Sequence, residues 1–74
     1  MPKLPALSGK DLIKILVKIG YSPARQNGSH VQLTNQNKKP VTVPLHPLIG
    51  KGLLRKIMRD TELSLENLLD LLNK

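Results

Sequence analysis

An Asn-Gly pair followed by strict alternation of polar and apolar residues is the feature that most constrains this chain. Asn27 and Gly28 both tolerate the positive φ that a tight type I′ turn requires, so the pair is typical of a β-hairpin. Polar and apolar residues alternate directly after it: His30, Val31, Gln32, Leu33 and Thr34. This period of two predicts a strand over residues 29–34, with one face towards a core and His30 on the opposite, open face.

Helical periodicity lies on both sides of this hairpin. Ser8 is a candidate N-cap with Asp11 three residues later, and Gly20 is a candidate helix end. The apolar stripe between them consists of Leu12, Ile15, Leu16 and Ile19. A second helix is predicted over residues 53–59, and Ser64 caps a third. The apolar face of that last helix is predicted to be Leu65, Leu68, Leu69 and Leu72.

Two further strands complete the pattern, over residues 21–26 and 41–45. Pro23 and Pro44 interrupt them and therefore predict edge strands or a bulge. In the last strand the apolar positions expected to face the core are Val41, Val43 and Leu45, and those expected on the open face are Thr42, Pro44 and His46. This parity brings the two histidines onto one face.

The predicted fold class is α+β, in the order α-β-β-β-α plus a short C-terminal helix. Its sheet has three antiparallel strands, and the helices cover one face. With 74 residues the chain is long enough for one domain, predicted over residues 8–74. Residues 1–7 are expected to form a loosely ordered lead-in.

Composition excludes several classes of site. The chain has no cysteine and two histidines, so neither a disulfide nor a metal site is expected, and no pattern calls for a cofactor. No apolar run approaches the length of a membrane span. Residues 1–7 are too short and too rich in proline for a signal peptide, so a cytoplasmic protein is expected.

Charge points to nucleic acid. The formal net charge is +7, and residues 1–59 hold eleven of the twelve basic residues with one acidic residue, which gives that part +10. Such a basic body attracts phosphates. Tyr21 is the only Phe, Tyr or Trp, so the base-stacking platforms of single-strand binders are missing and recognition of backbone shape is favoured. Lys38, Lys39 and Lys51 are the candidate phosphate contacts, with a lysine stripe at residues 10, 14 and 18 as an alternative.

Two histidines are the candidates for chemistry. His30 is either a solvated surface residue or a group that meets an anionic substrate on the basic open face. Ser29 either orients its ring or belongs to the turn, and the turn is favoured. His46 is either a second acid/base or a structural residue, and the structural role is favoured. The glycines around Lys51 form either a phosphate seat at a helix start or ordinary loop.

Four segments in this order resemble the HicA family of toxin–antitoxin systems, small mRNA interferases with a fold similar to the double-stranded-RNA-binding domain. They are residues 8–11 (SGKD), 25–30 (RQNGSH), 41–46 (VTVPLH) and 50–57 (GKGLLRKI). The resemblance covers about residues 8–72. Two positions depart from it: Leu53 replaces a usual threonine at the helix start, and Leu68 replaces an aromatic residue.

The resemblance implies that His30 is the catalytic residue of a metal-independent endoribonuclease acting on mRNA and paired with a HicB-type antitoxin. Ser29, Lys38, Lys39 and Lys51 are then the candidate RNA-binding residues. Two rival functions need only the lysines. One is a non-catalytic RNA-binding module of the same fold, and the other is a protein whose basic face docks an acidic partner.

Overall fold

Three antiparallel strands form one sheet in the order β1-β2-β3, and three helices complete the fold. The computed structural model describes residues 3–73. In chain order the elements are α1 (Gly9–Lys18), β1 (Ser22–Asn27), β2 (His30–Thr34), β3 (Val41–Pro44), α2 (Lys51–Thr61) and α3 (Leu65–Leu72). This order confirms the predicted α+β class and is consistent with a fold like that of the double-stranded-RNA-binding domain.

The predicted helix ends are found. The Ser8 hydroxyl oxygen accepts a hydrogen bond from the Asp11 amide (3.1 Å), and the Ser64 hydroxyl accepts one from the Asn67 amide (3.1 Å). Each bond satisfies a first-turn N–H that has no partner within the helix. Gly20 has a φ of +105°, the left-handed conformation that ends α1.

Helix α2 begins earlier than predicted and lacks a side-chain cap. Its first residue is Lys51, two positions before the expected start, and Gly50 is the N-cap with no side-chain hydrogen bond. The helix also continues past the expected end, to Thr61. There the buried Thr61 hydroxyl donates to the carbonyl oxygen of Ile57 at 2.7 Å.

One face of the sheet packs against the helices, as the period of two in β2 predicts. Val31 and Leu33 are buried, whereas His30, Gln32 and Thr34 are exposed. The helices supply the rest of the core, which includes Leu12, Ile15, Leu16, Leu54, Ile57 and Leu68. Burying each such side chain contributes about 1.5–3 kcal/mol, which stabilises the fold. The core therefore uses one face of the sheet, and the opposite face of β2 remains exposed.

The hairpin turn lies one residue later than predicted. Asn27 pairs with His30, so the two turn residues are Gly28 and Ser29. Gly28 has a φ of +62°, while neither Asn27 nor Ser29 has a positive φ. Glycine as the first of two turn residues is the pattern of a type II′ turn. The type I′ prediction was therefore wrong, and β2 begins at His30 rather than Ser29.

The end of β3 also differs from its prediction. Pro44 is buried and Leu45 is 40% exposed, the reverse of the expected alternation. The strand ends at Pro44, and the first turn of α1 covers this point. A Cβ built on Gly9 would overlap the carbonyl oxygen of Pro44. The alternation fails because a helix end, and not the sheet, determines burial here.

Helix α3 presents a slightly different face from the predicted one. Leu68 is fully buried, and the leucines that pack around it on the core are Leu65, Leu71 and Leu72. Leu71 thus takes the place predicted for Leu69. Five of the eight residues of α3 are leucine, so the sequence pattern fits several rotations, and packing against α1 selects one.

The lead-in contributes to the core. Leu7 is buried, and its carbonyl oxygen accepts a hydrogen bond from the Ile49 amide at 2.7 Å. Leu4 packs against the same core. The first two residues of the predicted lead-in lie outside the described residues, as does residue 74. Within residues 3–73 no helix is long and apolar enough to cross a bilayer.

Candidate functional site

His30 lies at the end of the central strand, on the face that the helices leave open. It is the first residue after the turn and pairs with Asn27 of β1 on one side and with Pro44 of β3 on the other. Its side chain is exposed. The central strand of a three-stranded sheet is held by hydrogen bonds on both sides, so the backbone position of His30 is fixed while its imidazole meets solvent.

A shallow depression of about 320 Å³ surrounds this imidazole. We call this concavity the His30 depression. Its lining residues are Arg25, Asn27, His30, Gln32 and Thr42. Every one is polar, and they come from all three strands. An open, polar concavity with a guanidinium and an imidazole suits an extended anionic ligand better than an apolar small molecule.

Arg25 reaches this depression because β1 contains a bulge. The register shifts between Pro23 and Arg25, so Arg25 pairs with Gln32. In a regular ladder Ala24 would occupy that position. Residues directly opposite each other in an antiparallel pair share one face, and the extra residue of the bulge therefore moves Arg25 to the open face.

Sequence reasoning did not select Arg25 as a site residue. The signal was Pro23, which predicts an edge strand or a bulge, and the structure confirms both. What the sequence lacks is the position of the register shift, which decides the face on which Arg25 lies.

The second histidine lies beside the first. The ring centroids of His30 and His46 are 6.4 Å apart, and the ring planes make an angle of 69°. His46 also lines an adjacent depression of about 390 Å³, the His46 depression, together with Ser8, Lys10, Leu45 and Pro47. The two histidines are therefore neighbours, although His46 lies in the loop after β3 and the alternation from which a shared face was predicted fails at Pro44 and Leu45.

Backbone hydrogen bonds hold both histidines in place. The Leu45 amide donates to the carbonyl oxygen of Ser29 (2.6 Å), which joins the residues directly before the two histidines. The Gly9 amide donates to the carbonyl oxygen of His46 (2.9 Å). The start of α1, the turn before β2 and the end of β3 are therefore linked at one point.

The remaining predicted site residues lie in two other places. Lys51 is the exposed first residue of α2. Lys38 and Lys39 lie in the turn between β2 and β3, at the far end of the sheet. Four residue steps separate His30 from Thr34, the last residue of β2, so this turn begins about 13 Å from His30. The structure thus brings Ser29 together with His30 but not Lys38 or Lys39.

Carboxylates accompany the two lysines at that far end. Lys38 and Lys39 share a depression with Arg59, Asp60 and Glu62. The hydrogen bond from Lys56 (3.0 Å), with smaller contributions from the charges of Lys56, Lys39 and Arg59, holds the pKa of Asp60 below its usual value. The carboxylates therefore offset part of the positive charge at this end of the sheet. In the two histidine depressions the charged lining residues are both cations, Arg25 and Lys10.

Buried Tyr21 fixes the same turn. Its hydroxyl donates a hydrogen bond to the carbonyl oxygen of Lys39 at 2.8 Å. Burial raises the pKa of this phenol, and the nearby carboxylates of Asp60 and Glu62 add to the shift. The one aromatic residue of the chain is a core and turn residue, so it offers no stacking platform for a base.

No group of three or more His, Cys, Asp or Glu side chains within residues 3–73 could hold a metal ion.

Comparison with known proteins identifies a family. Residues 9–63 match the sequence model of a family described as HicA toxin of bacterial toxin-antitoxin. This match covers α1, the whole sheet and α2, and it includes both histidines and Arg25. No curated protein and no solved structure matches the chain.

Proposed function

The chain belongs to the HicA toxin family of bacterial toxin–antitoxin systems, and we propose that it is a toxin that cleaves mRNA. It acts as a metal-independent endoribonuclease in which His30 is the catalytic residue. The observation that carries this proposal is the position of His30, exposed on the open face of the sheet in a depression that Arg25 also lines.

The chemistry suits so small a protein. RNA contains its own nucleophile, the 2′-hydroxyl group, so the enzyme needs to move protons and to stabilise charge on the phosphate. An imidazole, with an ordinary pKa near 6.5, serves as general acid or base at neutral pH and contributes about 10²–10⁴-fold. Arg25, which lines the His30 depression, is a cation that can stabilise the developing negative charge.

RNA binding is proposed to extend beyond this centre. Lys51 and the pair Lys38 and Lys39 contact phosphates of the same RNA on either side of the scissile bond, and Ser29 contacts the backbone from the turn. The distance of about 13 Å along β2 supports a binding surface longer than one nucleotide. The strongly basic composition supports attraction of RNA by shape and charge.

The antitoxin of this toxin is proposed to be a HicB-type protein that covers the open face of the sheet. A family of toxin–antitoxin systems implies an antitoxin partner. The face to be covered includes Arg25 and belongs to a chain of net charge +7, so an acidic partner surface would associate quickly through charge attraction. Covering His30 inhibits the enzyme without any change of its fold.

Replacing His30 tests the assignment. His30→Ala and His30→Gln should fold like the wild type, because the side chain is exposed, and both should lose RNA cleavage and toxicity on expression. Asn67→Ala, an exposed position on α3, serves as a surface control away from the proposed RNA-binding residues. Equal cleavage by wild type and His30→Ala would refute the proposal.

Two further outcomes would indicate a different function or a different mechanism. If wild type and His30→Ala bind RNA equally and neither cleaves it, the protein is a non-catalytic RNA-binding module. If EDTA abolishes cleavage by the wild type, the reaction depends on a metal and the metal-independent mechanism is wrong. Measuring cleavage of a labelled mRNA with and without EDTA decides between these outcomes.

A further inference from the structure

We infer that His46 is a second catalytic residue and that the two imidazoles divide the two proton transfers of RNA cleavage between them. This inference rests on the proposed ribonuclease function and adds a second residue to it. From the sequence alone, a structural role for His46 is favoured. It is carried by the distance between the two rings, their exposure and the backbone bonds that hold them together.

The reaction requires two proton transfers at different oxygens. The 2′-hydroxyl loses a proton to a base while its oxygen forms a bond to phosphorus. The bond from phosphorus to the 5′-oxygen breaks, and an acid gives that oxygen a proton. The products are a 2′,3′-cyclic phosphate and a 5′-hydroxyl end, with no water consumed. Because the attacking and leaving oxygens lie roughly in line through phosphorus, the base and the acid must approach from two sides.

The two rings are placed for such an approach. Each proton-transfer group must come within about 2.6–3.2 Å of its oxygen. The separation of 6.4 Å between the ring centroids leaves space for a phosphate group to be contacted by both. The angle of 69° between the ring planes also means that the rings are not stacked face to face, so their edges remain available to a substrate.

The side chain of His46 contributes little to the stability of the fold. It is exposed, and within residues 3–73 its imidazole makes no hydrogen bond or ion pair. Residue 46 is tied to the fold through its main chain, because its carbonyl oxygen accepts the hydrogen bond from the Gly9 amide. The backbone thus fixes the place of the ring while leaving the ring itself free to act on a ligand.

The charged side chains that line the two histidine depressions are cationic. Arg25 of β1 lines the depression around His30, and Lys10 of α1 lines the one around His46. The other side chains of the His30 depression (Asn27, Gln32 and Thr42) are neutral, as are Ser8, Leu45 and Pro47 around His46. A phosphate between the two rings is therefore flanked by positive charge on both sides.

The pH dependence of cleavage tests this inference. With separate acid and base groups, the wild-type rate on a labelled RNA should rise and then fall with pH. His46→Gln should lower the rate by about 10²–10⁴-fold and remove one limb of that profile. Asn67→Ala, exposed on α3, is again the control and should keep both the rate and the profile. Thermal melting of each variant verifies folding, and His46→Asn provides a second variant should His46→Gln melt early.

A substrate with an activated leaving group identifies which transfer His46 performs. A nucleoside 3′-(4-nitrophenyl phosphate) needs no proton on its leaving oxygen. If His46 is the acid, His46→Gln should cleave this substrate at nearly the wild-type rate. If His46 is the base, the loss should remain. A retained rate identifies His46 as the acid, and a remaining loss together with a missing limb of the pH profile identifies it as the base.

Failure of this inference is distinguishable from failure of the ribonuclease function. A folded His46→Gln that cleaves RNA at the wild-type rate, or that loses rate but keeps both limbs of the profile, overturns the role of His46. The ribonuclease function stands in that case, provided that His30→Ala is inactive. If the wild type cleaves no RNA, both proposals fail.

Discussion

The amide of Gly9 donates a hydrogen bond to the carbonyl oxygen of His46 at 2.9 Å. This bond joins the first residue of α1 to the loop that follows β3, and it fixes the backbone of the second histidine. The same glycine lies against the carbonyl group of Pro44, so the helix end and the strand end touch through main-chain atoms. The candidate active site is thus supported from behind by the start of a helix.

A side chain at position 9 is expected to separate these two elements. In Gly9→Ala the new Cβ would overlap the carbonyl oxygen of Pro44 and lie 3.1 Å from the Cα of Leu45. Both neighbours are backbone atoms that cannot move aside by changing a rotamer. We expect the free energy of unfolding to fall by about 1–3 kcal/mol or more, measured by urea denaturation.

Gly52→Ala is the matched control for that substitution. Gly52 is the second residue of α2, and no atom lies within 4 Å of the position of an added Cβ. Because alanine is the better helix former, this change should raise the free energy of unfolding, by up to about 1 kcal/mol. Equal destabilisation by the two alanines would show that the close approach at Gly9 is not what requires glycine there.

The salt dependence of RNA affinity is expected to separate the cations. Removing a side chain that binds one phosphate should reduce the slope of log affinity against log salt concentration by nearly one unit. We expect this reduction for Arg25→Ala, Lys38→Ala, Lys39→Ala and Lys51→Ala. Arg25→Ala should in addition lower the cleavage rate at saturating RNA, because Arg25 lies beside His30.

Substitutions in the lysine stripe on α1 test whether RNA binds elsewhere. If the slope is unchanged in all four variants but decreases in Lys14→Ala or Lys18→Ala, the RNA lies on the helical side of the protein and the open face of the sheet is not its binding surface. Fluorescence anisotropy at several salt concentrations gives the slopes.

Tyr21→Phe should destabilise the protein near neutral pH and have less effect in alkali. The variant loses the hydrogen bond to the carbonyl oxygen of Lys39, which contributes about 1 kcal/mol. In the wild type the pKa of Tyr21 is raised, mainly by burial, above its ordinary value of 10.0. The contribution of its protonated hydroxyl is therefore complete below pH 10 and is lost as the pH rises through the folded-state pKa.

Urea denaturation of both proteins at pH 7 and at several values above 10 measures this difference. The gap in the free energy of unfolding between wild type and Tyr21→Phe should narrow as the pH increases. Because other groups titrate equally in both proteins, the comparison isolates the phenol. A gap that widens above pH 10 would contradict the assigned direction of the pKa shift.

The antitoxin is expected to protect the hairpin around His30. Hydrogen exchange of the toxin–antitoxin complex should show slowed exchange in β2 and in the turn at Gly28 and Ser29, because an inhibitor that blocks RNA access must cover this face. Protection confined to residues 64–73, with the hairpin exchanging as in the free toxin, would place the antitoxin on α3 and require an indirect mechanism of inhibition.

Local signals in the sequence determined the elements and their order. The caps at Ser8 and Ser64 and the end of α1 at Gly20 depend on residues within one helical turn, and all three are found. The alternation in β2 likewise depends on neighbours in the chain, and it correctly places His30 on the open face. Short-range hydrogen bonds and periodicity suffice for such features.

Tertiary structure decided which functional groups meet. The bulge in β1 moves Arg25 beside His30, and the bond from Gly9 holds His46 near the same ring. Strand register and the docking of a helix end depend on contacts between residues far apart in sequence, for which the chain carries no local signal. For the same reason the sequence could not separate Lys38 and Lys39, at the far end of the sheet, from the cations that flank the two histidines.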